Sequence, residues 1–257
     1  MILAIDCGNT HTVFGCVENG EVTGEILRIA TDRTETEYGY AAKLKQIFDL
    51  CDMDPTAFKG AVLSCVVPPL TAPLSRAVEL LTGLKALVVG AGVKTGLHIA
   101  INDPGTVASD LVAAAVAAKE LYPLPCVIID MGTATTLTVV NRNGCYVGGA
   151  ILPGVGLSLG ALAEGTALLP HVEIRPPRSV IAANTVESMR SGIVYGTAGS
   201  IDGLLDRFEE SLGEAPATVV ATGGASRLIC PACRHTIVMD DTLLLKGLWQ
   251  IWKRNSD

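Results

Sequence analysis

The chain has 257 residues, of which 49% are hydrophobic and 18% are charged. This composition is typical of a globular protein and excludes an intrinsically disordered one. The formal net charge is −7, and the lysines and arginines are scattered, which excludes the basic surface of a nucleic-acid-binding protein. No apolar run is long enough to cross a bilayer, so neither a nucleic acid nor a membrane is an expected partner.

The start of the chain and its cysteines bear on its location. Ile2–Ile5 is an apolar, strand-like segment without a basic lead or a cleavage site, which predicts no signal peptide and a cytoplasmic location. The eight cysteines are then expected to be free thiols. Cys230 and Cys233 form a CxxC pair near His235, but a tetrahedral metal site needs about four ligands and the chain has no second such pair. We interpret the pair as a turn, with a metal or redox site as the alternative.

The first half of the chain opens with three strands and continues with strands and helices in alternation. Asn19-Gly20 is the signal of a type I′ hairpin between the second and third strands. Asp103-Pro104 combines a helix cap with a proline at the first helical position. The predicted strands are Ile2–Asp6, Thr12–Glu18, Glu21–Ala30, Gly60–Val67 and Ala86–Gly90. The predicted helices are Thr34–Leu50, Thr71–Thr82 and one from Asp103-Pro104 to about Leu121.

The same order restarts after Tyr122–Pro125, which predicts a first domain of residues 1–121 and a second of residues 122–257. The predicted strands of the second half are Cys126–Asp130, Thr136–Asn141, Cys145–Ile151, Thr218–Thr222 and Thr236–Met239. The predicted helices are Leu157–Leu168, Val186–Leu212, a short helix after Gly223-Gly224, and Thr242–Lys253. This alternation predicts an α/β fold with mixed sheets.

The two halves share a sequence pattern, which indicates an internal duplication. Ile5–Val13 matches Ile129–Leu137, so that Asp6 corresponds to Asp130. The hairpin signals Asn19-Gly20 and Asn143-Gly144, and the glycines Gly24 and Gly148, follow at the same spacing. Each copy therefore ends a buried strand in an aspartate and then turns through glycine and hydroxyl residues. Two such turns facing each other form a clamp for phosphate and metal.

The first of these turns carries the sharpest functional signal. A carboxylate such as Asp6 at the end of a strand can hold Mg²⁺ directly or through water. Gly8 allows phosphate to approach the backbone closely, and Asn9 and Thr10 add hydrogen-bond donors. A plain hairpin turn is the alternative for one such motif. The copy at Asp130 makes that alternative weaker.

Two further glycine-rich segments lie where a ligand could approach the backbone. Thr222-Gly223-Gly224 falls between a strand and a helix, where a ligand can meet the helix N-terminus. A tight turn explains the same residues. Gly148–Gly154 also predicts a close backbone approach, either to a ligand or only to the neighbouring helix.

These motifs together resemble the type III pantothenate kinases, and the resemblance covers essentially the whole chain. It rests on the order and spacing of five segments, namely Asp6–Thr10, Asp130–Thr136, Gly148–Ser158, Asn184–Gly196 and Ala221–Gly224. The resemblance implies the actin, sugar kinase and Hsp70 fold, with two duplicated domains of RNase H type and a nucleotide cleft between them. It implies an enzyme that phosphorylates pantothenate to 4′-phosphopantothenate, the first step of coenzyme A biosynthesis. Family members are homodimers that use ATP, Mg²⁺ and a monovalent cation, K⁺ or NH₄⁺.

The resemblance also implies roles for individual residues. Asp110 would be the general base, and Asp130 would bind the monovalent cation. Asp6 would organise Mg²⁺ together with ATP. Thr185 would contact the pantothenate site, together with Ala108, Ser109, Asp110 and Leu111. The implied ATP-binding residues are Asp6, Cys7, Gly8, Asn9, Thr10, His11, Thr12, Val13 and Thr133.

The departures from the family pattern lie around the implied base. The family has Gly-x-Asp-Arg where this chain has Ala108-Ser109-Asp110-Leu111, and a tyrosine where it has Ile101. Loss of a charge-assisted contact to the pantothenate carboxylate typically costs about 1.5–3 kcal/mol. The phosphate-handling part therefore looks intact, whereas the acceptor part looks rewritten and more apolar.

Two alternatives for the function stay open. The chain could be a diverged kinase of the same fold that acts on another small hydroxyl substrate. It could also be a nucleotide-binding regulatory protein without catalysis, although a binding module has no need of a base such as Asp110. A separate alternative concerns Asp110: without the resemblance, it is interpreted as an aspartate in the first turns of a helix that only interacts with the helix dipole.

Overall fold

The computed structural model describes residues 1–256 and divides into two compact units. The first unit is Met1–Leu121 together with the chain from Thr242 onward, and the second is Tyr122–Asp241. The sequence-based division placed residues 242–257 in the second domain. The structure differs at this point, because the closing helix packs within the first unit.

The chain forms eleven strands and seven α-helices over residues 1–256. The strands are β1 (Ile2–Cys7), β2 (His11–Glu18), β3 (Glu21–Ala30), β4 (Ala61–Cys65), β5 (Leu87–Val88), β6 (His98–Ile99), β7 (Cys126–Met131), β8 (Ala134–Val140), β9 (Cys145–Pro153), β10 (Thr218–Thr222) and β11 (Val238–Met239). The helices are α1 (Glu37–Leu50), α2 (Pro68–Thr82), α3 (Ser109–Leu121), α4 (Val155–Glu164), α5 (Thr185–Leu212), α6 (Ser226–Ile229) and α7 (Leu243–Asn255). No helix within these residues is both long and apolar enough to span a membrane.

Both units contain the same arrangement of strands. In the first unit the strand order is β3-β2-β1-β4-β5. In the second unit, β9-β8-β7-β10-β11 lie in the corresponding order. The first three strands of each unit are antiparallel, whereas β4 and β10 run parallel to β1 and β7. The α/β class, the mixed sheets and the internal duplication are therefore confirmed.

The register of the two copies differs by one residue in the second strand. Asp6 lies opposite Val13, whereas Asp130 lies opposite Thr136. The turn after β7 is thus one residue shorter than the turn after β1. The sequence match of Ile5–Val13 with Ile129–Leu137 therefore pairs structurally equivalent residues in β1 and β7, but it is displaced by one residue between β2 and β8. The hairpin loop after β8 is one residue longer than the loop after β2, so the two copies are in step again from the third strand onward.

The two hairpin turns contain residues with positive φ where the Asn-Gly pairs predict them, with one difference. Asn19 and Gly20 both have positive φ, as a type I′ turn requires. In the second copy, Gly144 has positive φ but Asn143 does not. The strands β8 and β9 are joined there by a three-residue loop instead of a type I′ turn. Gly24 and Gly148, which match in sequence, also have positive φ and lie beside corresponding irregularities in the two ladders.

The helices begin within three residues of the predicted starts, except for α3, which begins later. Asp103 caps only the short 3₁₀ turn Pro104–Thr106, because Gly105 is a poor helix former and Val107 returns to an extended conformation. Helix α3 therefore begins at Ser109 instead of Asp103. Helix α2 begins at Pro68 because proline is compatible with the first turn of a helix.

The sheet of the first unit has a core on each face, because successive side chains of a strand alternate. Leu3, Ile5 and Cys7 belong to the core that includes residues of α1 and α2. Ile2 and Ala4 belong to the core that includes residues of α3 and α7. By this alternation, Asp6 lies on the α3 face at the end of β1.

Helix α7 completes the second of these cores. Leu245, Leu248 and Ile251 are buried there, next to Val112 and Val116 of α3. A Cβ atom on Gly247 would lie 1.9 Å from the carbonyl oxygen of Ala113, so the two helix backbones are in direct contact. This amphipathic face explains why the last helix belongs to the first unit.

We expect Gly247→Ala to lower the free energy of unfolding by about 1–3 kcal/mol, because the added methyl group meets backbone that cannot move aside easily. Gly160→Ala in α4 is the matched control, since its Cβ would meet nothing within 4 Å. The control should stabilise by about 0.5–1 kcal/mol. Urea denaturation of both variants measures the difference, and a Gly247→Ala variant as stable as the parent would contradict the close α3–α7 contact.

Candidate functional site

The turn between β1 and β2, residues Gly8–His11, is held in shape by backbone and hydroxyl contacts. The Gly8 N–H donates to the His11 carbonyl at 3.0 Å. Thr31, directly after β3, stabilises the turn. Its N–H donates to the Thr10 carbonyl at 2.9 Å, and its hydroxyl donates to the Gly8 carbonyl at 2.8 Å. Asn9, Thr10 and His11 remain exposed. The turn is therefore a fixed, exposed backbone loop with polar side chains.

Arg33 brings a positive charge to this turn and was missed in the sequence. Its guanidinium donates to the Asn9 side-chain oxygen at 2.9 Å. The predicted antiparallel pairing of the second and third strands could have indicated that Arg33 lies near this turn. That pairing sets His11 opposite Ala30 and so brings the residues after Ala30 to the turn.

Cys7 and Thr12 lie beneath the turn, where both are buried. The Thr12 hydroxyl lies 3.6 Å from the Cys7 sulfur and 2.9 Å from the Thr31 hydroxyl. Cys7 also lies opposite Cys65 of β4. A hydrogen bond from the Cys7 thiol lowers the pKa of Cys65 to about 6 and raises the pKa of Cys7. Cys7 is therefore a protonated support for the turn and not a nucleophile. The remaining residue of this segment, Val13, is half-buried in β2.

Three polar residues, Asp6, Ser64 and Ser109, lie next to one another at the carboxyl ends of β1 and β4. Asp6 lies opposite Ser64, which is fully buried on the neighbouring strand. The Ser64 hydroxyl is 3.0 Å from the hydroxyl of Ser109, the first residue of α3. Asp110 follows Ser109 directly. The structure thus connects the strand that carries Asp6 with the helix start that carries the predicted base.

Asp110 is half-buried, and the loss of solvent around its carboxyl raises the pKa above the ordinary value. A backbone hydrogen bond from the Leu111 N–H, at 2.7 Å, opposes this shift only in part. The Ala108 carbonyl accepts a backbone bond from Val112 at 3.1 Å. Ala108, Leu111 and Ile101 are all half-buried. A carboxylate with a raised pKa is better suited to accept a proton than an ordinary surface aspartate.

The second unit holds the other predicted group. The Asp130 carboxylate lies close to Gly223, where a Cβ would come within 2.7 Å of it and within 2.6 Å of the Met131 backbone. Thr136 lies opposite Asp130, and its buried hydroxyl oxygen has no hydrogen-bond partner within residues 1–256. Thr133 is exposed in the turn between β7 and β8. An acid and a hydroxyl oxygen therefore share this strand end.

The glycine-rich segments turn out to approach neighbouring strands. A Cβ on Gly149 would lie 1.8 Å from the Leu137 carbonyl oxygen, and one on Gly154 would lie 2.2 Å from the Thr133 carbonyl oxygen. Gly223, with positive φ, meets the end of β7. These glycines therefore allow backbone segments to pack and so fix the shape of the turn at Thr133.

Two predicted features lie elsewhere in the second unit. Thr185 is the exposed first residue of α5 and follows the cap Asn184. Cys230 and Cys233 lie at a short 3₁₀ turn, and burial raises their pKa values to about 11 and 12. His235 contacts Asp202, and within residues 1–256 no group of three metal-binding side chains is found. The turn interpretation of the CxxC pair fits this geometry.

The chain matches known proteins in sequence and in structure. The family model described as type III pantothenate kinase matches residues 2–207. A type III pantothenate kinase of Bacillus cytotoxicus is 40% identical over 256 residues, which cover all of this chain and 97% of that protein. The activator of the 2-hydroxyisocaproyl-CoA dehydratase from Clostridium difficile, with bound ADPNP, superposes with a TM-score of 0.59 at 13% identity and covers 99% of this chain and 94% of that one. An inorganic polyphosphate/ATP-glucomannokinase from Arthrobacter gives a TM-score of 0.50 at 14% identity, over 99% of this chain and 98% of that one.

The repeated strand order and these structural matches define a protein of the actin, sugar kinase and Hsp70 fold. The chain belongs to the type III pantothenate kinase family. The reaction of that family is the phosphorylation of pantothenate in coenzyme A biosynthesis, and the chain is accordingly a phosphotransferase with an alcohol as acceptor.

Proposed function

We propose that the chain transfers the γ-phosphoryl group of ATP in line to the primary hydroxyl of pantothenate, with Asp110 as the general base. The observation that carries this proposal is the half-buried carboxyl of Asp110 at the start of α3, where the neighbouring Ser109 is bonded to Ser64 at the end of β4, opposite Asp6. Phosphoryl transfer depends mainly on positioning and charge neutralisation, so one well-placed carboxylate suffices for the proton.

The first turn is the proposed phosphate site. Gly8 presents its backbone without a side chain, and the bonds from Thr31 hold the loop before any ligand binds. Arg33, Asn9 and Thr10 supply donors at the same place. Thr133 occupies the corresponding turn of the second unit and is the further proposed ATP contact. Pre-organised donors cost little ordering on binding, which favours a charged ligand such as a triphosphate.

The donor set fits a magnesium ion that arrives with the nucleotide. Mg²⁺ in such sites is held by one or two carboxylates and by substrate phosphates, instead of by a cage of protein ligands. Asp6 is the carboxylate at the end of β1, and no cluster of three acidic, histidine or cysteine ligands occurs in residues 1–256. Mg²⁺ would neutralise charge on the transferred phosphoryl group. Asp6 would hold it, directly or through water.

Asp130 is the proposed ligand of the monovalent cation, K⁺ or NH₄⁺. Its carboxylate and the Thr136 hydroxyl lie opposite each other on adjacent strands, and the hydroxyl oxygen is buried without a hydrogen-bond partner in the described chain. Oxygen atoms of this kind are suitable ligands for a hard cation, and the cation would satisfy the buried hydroxyl.

The acceptor would lie against Asp110. The side chains of Ala108 and Leu111 make the start of α3 more apolar than the family pattern, and Ser109 contributes a hydroxyl. Ile101 adds a further apolar side chain. Thr185 is the proposed contact from α5. We expect these residues to set the affinity for pantothenate, and not the handling of phosphate.

We further propose that the enzyme is a cytoplasmic homodimer. All eight cysteines are free, as expected in a reducing compartment. Gly192, Gly196 and Gly199 form an exposed stripe on α5 beside Tyr195, and a Cβ at each glycine would meet nothing within 4 Å. Such a stripe allows a second helix to approach closely. Sedimentation equilibrium of the purified chain at micromolar concentration should give twice the chain mass of 26.7 kDa.

Purified protein with ATP, Mg²⁺ and K⁺ should convert pantothenate to 4′-phosphopantothenate, as followed by mass spectrometry. Omission of K⁺ should lower the rate strongly, and Asp130→Asn should reduce the response to K⁺, because the substitution removes the charge that holds the cation. Thr222→Ser is a control at the position opposite Asp130 that keeps a hydroxyl. ATP binding without any product from pantothenate would show that the acceptor is a different hydroxyl compound.

Asp110→Asn should lower kcat by about 10²–10⁴-fold, since loss of a general base typically has this effect. Binding of ATP, measured by calorimetry, should stay close to that of the parent. The substitution should also raise Tm. The pKa of Asp110 is raised in the folded state, so the ionised carboxylate destabilises the fold at any pH above that pKa, and asparagine removes the charge.

The control for this variant is Asp49→Asn, which changes an exposed ion pair of α1. It should leave kcat and Tm nearly unchanged, because exposed pairs contribute little. The parent enzyme should lose kcat on the acid side at a pH above the ordinary aspartate pKa of about 3.9. Turnover by Asp110→Asn at the parent rate would show that another group accepts the proton.

A further inference from the structure

Ser64 is a polar residue in an apolar environment. It ends the buried run Ala61–Leu63 on β4 and has no exposed surface. On the same face of the sheet lie Val62, Ile2 and Ala4, all of which belong to an apolar core. A hydroxyl group is unfavourable at such a position unless it is hydrogen-bonded. Alanine would fill the same space without a buried polar group, so the hydroxyl of Ser64 is explained by the group that it bonds to.

The partner is the hydroxyl of Ser109, 3.0 Å away. Ser109 is the first residue of α3, and the segment before it forms only a short 3₁₀ turn and an extended residue, Val107. The first backbone hydrogen bond of α3 runs from Val112 to Ala108. The Ser64–Ser109 bond is therefore a side-chain connection between the start of α3 and the carboxyl end of the sheet.

This connection bears directly on Asp110. The carboxylate follows Ser109 in the first turn of α3, so its position depends on where that turn is held. Ser64 lies opposite Asp6 on β4, whereas the turn Gly8–His11 is held from the other side of the sheet by Thr31, which follows β3. A defect at Ser64 should therefore displace the base and leave the phosphate-binding turn in place.

We propose that Ser64 is a positioning residue for the reaction, which fixes the Asp110 carboxylate through the hydroxyl of Ser109. This inference rests on the proposed role of Asp110 as the base. Displacement of a reacting group by about 1 Å can lower a rate by about 10²-fold. Ser64→Ala should accordingly lower kcat between about tenfold and a hundredfold, with the KM for ATP unchanged.

The test compares four variants in the pantothenate assay. Ser64→Ala and Ser109→Ala each remove one end of the hydroxyl pair, and the double variant removes both. Because the two residues act as a pair, the double variant should be no slower than the slower single variant. Ser75→Ala is the matched control, since Ser75 also has a buried hydroxyl oxygen in the first unit, without a hydrogen-bond partner in residues 1–256. It should change neither kcat nor KM.

Ser64→Thr retains the hydroxyl and should recover much of the rate lost in Ser64→Ala. Ser109 lies at a half-buried helix start, so Ser109→Ala provides the same test should Ser64→Ala fold poorly. The proposal is overturned by an unchanged kcat in Ser64→Ala and Ser109→Ala, by losses that multiply in the double variant, or by a raised KM for ATP. Full turnover by Asp110→Asn would instead reject the base itself, which separates failure of the proposed function from failure of the role of Ser64.

Discussion

The parallel pairing of β1 with β4 is the constraint on which the site in the first unit depends. Because the strands run in the same direction, their carboxyl ends meet at one edge of the sheet, with Asp6 opposite Ser64. The pairing of β7 with β10 does the same for Asp130 and Thr222 in the second unit. Polar residues can lie at these positions because each strand leaves the apolar core there. The interiors of the strands are apolar and buried, and the polar side chains lie at their carboxyl ends.

The duplication supplies two such edges, and small changes of register give them different characters. The first turn has four residues, a cross-strand threonine that bonds to its carbonyls, and an arginine beside it. The second turn is one residue shorter, which moves Thr136 opposite Asp130 and leaves its hydroxyl buried among strands. Since a one-residue shift along a strand reverses the face of every side chain, a single deletion is enough to give the two turns different polar neighbours.

The site also shows how stability and reactivity are divided between the elements. The first turn is held by backbone groups, so its shape does not depend on exposed side chains. Asp110 lies instead in the first turn of α3, where burial raises its pKa and where the preceding residue, Ser109, is bonded to Ser64. An ionised group of this kind destabilises the fold, and the apolar contact of α7 with α3 contributes the compensating stability nearby.

The sequence by itself determined every strand of residues 1–256 except the two-residue β6, and also the duplication, the Asn19-Gly20 turn and the family. These features follow from local periodicity, glycine chemistry and ordered motifs. It also indicated Asp6, Asp110 and Asp130 by their place after strands or in matching motifs. Only the tertiary structure decided the start of α3, the one-residue register shift and the assignment of α7 to the first unit. It also brought Arg33 to Asn9 and Ser64 to Ser109. These features depend on contacts between residues far apart in the chain, such as Ser64 with Ser109 and Gly247 with Ala113, and no local pattern encodes such distances.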